Sequence, residues 1–225
     1  MRLSVIVPVY NESETVLTVL ERVRQVPVVS EIVVVDDCST DGTRDLLRTL
    51  AWPGLHVVYH PVNRGKGAAI QTALAYVTGD WVIIQDADLE YDPADYPRLL
   101  APVQQGRAQV VYGSRFLGRP RRMRFSQWLG NRFLTLLTNL LYGTSLTDME
   151  TCYKLMPTQV LRQLNLQARR FDVEPEITAK LLRRGYRILE VPISYAARDA
   201  EAGKKISWLD GLPAVLTLLK YRFVD

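Results

Sequence analysis

Apolar residues in this chain come in short β-branched runs, separated by longer stretches at helical spacing. Residues 3–9 form such a run, closed by the polar Tyr10-Asn11-Glu12, and read as a buried strand. Residues 13–26 then place Val16, Leu17, Leu20 and Val23 on one helical face, with Ser13 as N-cap and Pro27 as stop. The unit repeats. Strands are predicted at 31–35, 55–60 and 81–85, with helices at 43–50 and 68–77 between them. This alternation argues for right-handed crossovers and a mainly parallel sheet with helices on both faces.

Beyond Pro93 the pattern is less regular. It predicts helices at 96–104, 127–142, 160–165, 175–184 and 209–223, and strands at 108–113, 149–156 and 187–195. No internal repeat or linker interrupts the chain, so one domain over residues 1–225 is expected.

Polar residues collect where the strands end. In open α/β sheets ligands bind at the carboxyl ends of strands, so Tyr10–Glu12, Asp36–Asp37, Arg64–Lys66 and Asp86–Asp88 are expected to line one crevice. Two carboxylates at the mouth of a buried strand, Asp86 and Asp88, are costly unless solvated or paired with a cation. Mg²⁺ or Mn²⁺ held by one or two carboxylates plus substrate phosphates would meet that need, and a solvated turn capping the next helix is the alternative. Asp37 suits a nucleobase as hydrogen-bond acceptor, Tyr10 could stack on a base or ribose, and Glu12 adds a third carboxylate. Ser39 and Asp41 are expected to shape the turn before the second helix.

The segments VPVYNE (7–12), VVVDDCSTDGT (33–43) and DAD (86–88) resemble family 2 glycosyltransferases of the GT-A fold. Later segments, YGSRF (112–116), TDMETCYK (147–154), FDVEPEI (171–177) and EAGKKI (201–206), resemble the polyprenyl- and dolichyl-phosphate sugar synthases of that family. The resemblance implies an α/β, Rossmann-like, doubly wound sheet ending in a C-terminal amphipathic helix. It implies inverting transfer of a hexose from a UDP- or GDP-sugar to a polyprenyl phosphate, with Mg²⁺ or Mn²⁺. Residues 1–95 would be the donor half and 96–225 the acceptor half.

Carried over by residue, Pro8, Tyr10, Glu12 and Asp37 would hold the nucleoside. Asp86, Ala87 and Asp88 would meet the metal and donor phosphates, and Lys66 would sit near the nucleotide. Glu90 stands where relatives often carry a metal-holding glutamine, and a carboxylate there is a further candidate ligand. Arg198 and Lys204 match a late loop that would close over the diphosphate. The Asn63–Gly67 segment lacks the GxxxxGK[ST] spacing of a P-loop.

Charge points to the acceptor. Between Arg115 and Arg132 lie six arginines and no acid. Arginine grips phosphate through a planar fork, so Arg115 is the leading acceptor-phosphate residue. Arg122 or Arg124 with Ser126, and Arg132 with Thr135, are second choices. Asp148 is a candidate base if the acceptor is a hydroxyl, with turn capping as its other reading. Phe125, Trp128, Leu129 and Phe133 could lie in a membrane interface, although packing on the sheet is the favoured reading for most of them. His56 and His60 are expected at an edge or surface, and Cys152 as a small buried hydrophobe.

The net charge of +4 and pI of 9.1 are too weak to imply nucleic acid. The first residues lack the apolar core of a signal peptide, and no run reaches spanning length. Peripheral contact with the cytoplasmic face of a membrane is therefore expected. Two other readings stand: a transferase acting on a sugar hydroxyl, and a nucleotide-binding module without turnover.

Overall fold

The predicted strands are the centre of the structure, because their runs are apolar on both faces. The computed structural model describes residues 1–118, 123–198 and 211–224. Its first half alternates strictly: β1 (Leu3–Val9), α1 (Val16–Arg24), β2 (Val29–Asp36), α2 (Thr43–Arg48), β3 (Leu55–Tyr59), α3 (Lys66–Leu74) and β4 (Trp81–Ile84). A 3₁₀ turn at Pro93–Asp95 leads into α4 (Tyr96–Gln104) and β5 (Val110–Ser114). Then come α5 (Phe125–Tyr142), β6 (Lys154–Pro157), α6 (Thr158–Gln163), α7 (Val173–Arg183), β7 (Ile188–Pro192) and α8 (Gly211–Phe223).

The seven strands form one sheet in the order β3-β2-β1-β4-β6-β5-β7. All pairings are parallel except those of β6, which runs antiparallel to both β4 and β5. The apolar pattern gives no sign of this reversal, since a run buried on both faces fits either direction. The strand predicted at 149–156 begins only at Lys154. Helix α1 also starts later than predicted: Ser13 does not cap it, and its backbone N–H instead donates to Asp41.

One polar knot braces the amino-terminal edge of the sheet. Glu31 is buried and accepts from the Ser4 hydroxyl, the Thr78 and Gly79 N–H groups and the Thr78 hydroxyl. Burial by itself would raise its pKa, but these donors outweigh it and hold the group below its ordinary 4.5. Because the folded value is the lower one, the stabilisation is complete above about pH 4.5 and is lost as pH falls through the folded value. Glu31→Ala is expected to cost on the order of 3 kcal/mol at pH 7 and progressively less as pH falls below 4.5, read by urea unfolding across that range.

Helices α5 and α8 pack against each other through a small second core of Leu134, Met149, Ala179, Ala214, Leu218 and Tyr221. The Tyr142 hydroxyl donates to the Leu218 carbonyl across this contact. Phe125, Trp128, Leu129 and Phe133 are all exposed, contrary to the expected packing on the sheet. The buried residues of α5 are Leu134, Thr135 and Thr138, a narrow stripe that leaves the rest of an apolar helix outside.

Candidate active site

The loops that follow β1 and β2 are stitched together at the carboxyl end of the sheet. Asn11 N–H donates to Ser39 Oγ, Thr40 N–H to Asn11 Oδ1, and Glu12 N–H to Thr43 Oγ1. Asp41 accepts from Thr43 N–H and its hydroxyl, so Ser39 and Asp41 build the turn as expected. Thr15 Oγ1 bridges Glu12 and the Ala87 carbonyl, which fastens the first loop to the acidic triplet after β4. Tyr10 and Pro8 are half-buried at the same end of β1, and Ala87 is buried.

Among the described residues, four carboxylates meet two cations here. Lys66, at the start of α3, bridges Asp86 at 2.7 Å and Glu174 at 2.6 Å. The Arg198 guanidinium bonds Glu12 and lies 4.0 Å from Asp88. Glu90 is engaged differently from the metal-ligand role expected of it. One of its oxygens accepts from Tyr195 OH at 2.7 Å and the other from Arg198 N–H at 2.9 Å, so its carboxylate ties residues 195–198 to the triplet.

Among the described residues the acids of the cluster outnumber its cations. Burial, then Asp86 and Glu90, push Asp88 up to about 8 despite Arg198. Hard oxygen donors whose repulsion the protein does not fully neutralise suit Mg²⁺ or Mn²⁺. Among the described residues no three acids, histidines or cysteines form a complete cage.

Asp37 is buried with its carboxylate in use. Oδ1 accepts from Arg64 N–H and pairs with His60 Nδ1 at 2.6 Å, while Oδ2 accepts from Gly65 N–H at 2.7 Å. Asp37 therefore anchors the loop that aims Lys66, a task the sequence did not point to, and its Oδ2 keeps a lone pair beyond the Gly65 bond. His60 is not a surface residue: it is buried between Asp37 and the Thr72 hydroxyl. Close approach explains the glycines of this loop. A Cβ on Gly67 would lie 2.3 Å from the Ala168 carbonyl, and one on Gly65 2.3 Å from that of Arg169.

On the acceptor side, Arg115 follows β5 and is buried. Its Nε and one terminal nitrogen grip Asp148 bidentately at 2.7 Å each, and its backbone N–H adds a third bond. This corrects two expectations. Asp148 is fully buried and chelates Arg115, so it is not placed to take a proton from an acceptor. Arg115 is an internal ion-pair partner before it is a phosphate ligand. Arg132, on the exposed side of α5, lies over the Phe116 ring at 5.7 Å, and Arg115 lies over the same ring at 5.8 Å. Thr135 is buried and accepts from Met149 N–H, which removes it from the acceptor set, whereas Ser126 and Arg124 are exposed. Arg122 and Lys204 lie outside the described residues.

Behind these groups sit residues that motif reading left without a role: Glu150, Lys154 and Glu174. Lys154 is buried, donates to the Met149 carbonyl at 2.6 Å, and stands 3.9 Å from the centre of the Tyr112 ring. Burial pulls it down to about 8 against the opposing pull of Glu174 and Glu150. A charged residue inside an otherwise apolar strand run, Lys154 in Tyr153–Met156, was the available signal. Cys152 is buried as expected.

An α/β sheet with one reversed strand and an acid cluster at its carboxyl edge is the arrangement of a GT-A-like fold. The Glycosyl transferase family 2 profile matches residues 4–164, and the chain belongs to that family. It is 31% identical over 224 residues to undecaprenyl-phosphate mannosyltransferase of Micrococcus luteus, covering 91% of this chain and 87% of the relative. It is 29% identical over 220 residues to polyprenol monophosphomannose synthase of Mycolicibacterium smegmatis, covering 90% and 80%. Among solved structures, glucosyl-3-phosphoglycerate synthase from Mycobacterium tuberculosis in complex with UDP superposes with a TM-score of 0.75 at 24% identity, covering 99% of this chain and 80% of that one. That last likeness speaks for the fold.

Proposed function

We propose that this glycosyltransferase moves a hexose from a UDP- or GDP-sugar onto a polyprenyl phosphate at the cytoplasmic face of a membrane, with inversion and with Mg²⁺ or Mn²⁺. The observation that carries the reading is the acid cluster of Glu12, Asp86 and Asp88, crossed by Lys66 and Arg198, in a chain whose relatives are named for polyprenyl-phosphate sugar transfer. Asp86 and Asp88 would hold the ion, which supplies positive charge against the departing nucleoside diphosphate. Lys66 and Arg198 would bring positive charge to the same phosphates, and Pro8, Tyr10 and Glu12 would line the nucleoside side. The 195–198 segment, fixed by Glu90, holds Arg198 over the cluster.

The state of Asp148 favours a phosphate acceptor. A sugar hydroxyl needs a base to take its proton, and Asp148 is locked to Arg115. A phosphate monoester is already anionic near pH 7, so positioning by Arg132 and the Arg115 side of the site would be enough.

The lipid would be met by α5 and α8. Both turn apolar side chains outward: Phe125, Leu129, Phe133, Leu136 and Leu140 on α5, and Leu212, Leu216 and Phe223 on α8. Arg132, Lys220 and Arg222 stand on the same helices, where each basic group near an anionic bilayer adds about 1 kcal/mol. Among the described residues no helix is long and apolar enough to cross a membrane. Phe133→Glu with Leu140→Glu is expected to cut binding to anionic vesicles by at least about tenfold without lowering Tm, because both side chains are already exposed. Sedimentation with vesicles and a thermal melt check it.

The reading itself is tested with a panel of nucleotide-sugars against undecaprenyl and dolichyl phosphate, analysed by mass spectrometry. An acid-labile product that extracts into organic solvent supports it. Transfer only to a glycan hydroxyl, or no transfer with either ion, overturns it.

A further inference from the structure

Two buried side-chain oxygens in the described structure lack any hydrogen-bond donor: Glu150 Oε1 and Glu174 Oε2. They belong to neighbouring carboxyl groups, since Glu174 is the charge that acts most strongly on Glu150. A buried carboxylate oxygen left bare costs the full desolvation of that atom, and native interiors rarely carry two together. A single proton removes both faults. Carried on Glu150 Oε1, it makes an O–H donor for Glu174 Oε2, giving a short charge-assisted bond between acid and carboxylate.

We propose that Glu150 is held as the neutral acid, donates to Glu174, and thereby acts as a positioning residue for Lys66. The surroundings are consistent. Around Glu150 stand Lys154 from β6, Arg115 from the end of β5, Asp148 from its own loop and Glu174 from α7. Arg115 is neutralised by Asp148, and Lys154 directs its ammonium to the Met149 carbonyl and the Tyr112 ring. Burial and the Glu174 charge outweigh both cations and raise Glu150 to about 8, so the acid form prevails at neutral pH. The other oxygen of Glu174, Oε1, is then free to bind Lys66, which reaches on to Asp86. A chain of contacts thus runs from the loop after α5, through α7 and α3, to the donor end of β4. Were Glu150 ionised, two adjacent anions would compete for Lys66 and Lys154, and Glu174 would lose its fixed orientation.

The role of Lys66 in this inference rests on the reading above, but the proton does not. Infrared difference spectra of wild type and Glu150→Gln at pH 7 read it directly, without turnover. Wild type is expected to show a protonated carboxylic-acid C=O band that Glu150→Gln lacks. Glutamine keeps an N–H donor for Glu174, so Glu150→Gln is expected to bind Mn²⁺ with UDP or GDP within about twofold of wild type. Glu150→Ala removes the donor and is expected to weaken that binding about tenfold, the scale of one lost hydrogen bond to a buried charge. No difference band, or a Glu150→Gln variant as impaired as Glu150→Ala, overturns the proposal. If Glu150→Ala does not fold, the glutamine variant and its band still decide. Failure of every sugar transfer alongside the expected band would count against the function and leave the acid pair standing.

Discussion

Asp88→Asn is expected to abolish sugar transfer and to leave the protein as stable as before, or more so. The two halves of this result come from one cause. Asp88 sits among Asp86, Glu90 and Glu12, and among the described residues the 4.0 Å contact of Arg198 offsets them. Ionisation of Asp88 is therefore a liability to the fold, which is why the carboxyl is held up at about 8, and on the proposed reading the anion is wanted only when a cation and diphosphate arrive. Asparagine has the same shape, can still accept from Glu90 N–H as Asp88 does at 3.2 Å, and removes the repulsion. Transfer is expected to fall by at least about a thousandfold, equivalent to roughly 4 kcal/mol of transition-state stabilisation. Radiolabelled transfer and calorimetric Mn²⁺ titration check the loss, and a thermal melt checks stability. Activity within tenfold of wild type, or a melt lowered by more than a few degrees, would contradict the expectation.

Asp148→Ala is the opposite case: it is expected to unfold the protein before its catalytic effect can be read. Asp148 is fully buried and receives three bonds from Arg115. Removing one partner of a buried pair leaves the other charge without compensation, at about 3–5 kcal/mol. For a chain of this length that lowers Tm by about 10 °C. A paired replacement, Arg115→Met with Asp148→Leu, removes both charges and is expected to recover most of the loss. If the double variant melts near wild type but transfers no sugar, the pair serves chemistry as well as folding. If Asp148→Ala alone melts within about 2 °C of wild type, the ion pair is not the strut its geometry indicates.

The strands and the polar ends of the first half were legible because each property is local. A strand buried on both faces is a continuous apolar run, and the residues that leave the sheet toward a ligand must be polar. Hence the crevice around Glu12, Lys66, Asp86 and Asp88 followed from the pattern alone. The partners of those residues were not legible, because pairing is a property of the fold. Glu12 meets Arg198 across 186 positions, and Glu90 reaches Arg198 across 108. His60 looked like an edge residue because its partners, Asp37 and Thr72, lie 23 residues before it and 12 after. Arg115 and Asp148 were each singled out for chemistry, and only their contact shows that each neutralises the other. Helix α5 failed for another reason: it is apolar nearly all round, so periodicity could not say which stripe faces the core.

The reversed strand β6 also bears on how the chain can fold. In the order β3-β2-β1-β4 the first two crossovers join neighbouring strands and the third carries the chain back past β2 and β1 to set β4 beside β1, and all of it is encoded before Gln85. β5 leaves that sheet without a place to pair until β6, some forty residues later, fills the gap between β4 and β5. During synthesis on the ribosome the amino-terminal four strands can gather early, while β5 and the exposed helix α5 wait for a long-range closure. Long-range closure is thus needed twice, where β4 returns to β1 and where β6 and β7 arrive to pair β5, and these steps should set the folding rate and hold the greater risk of aggregation.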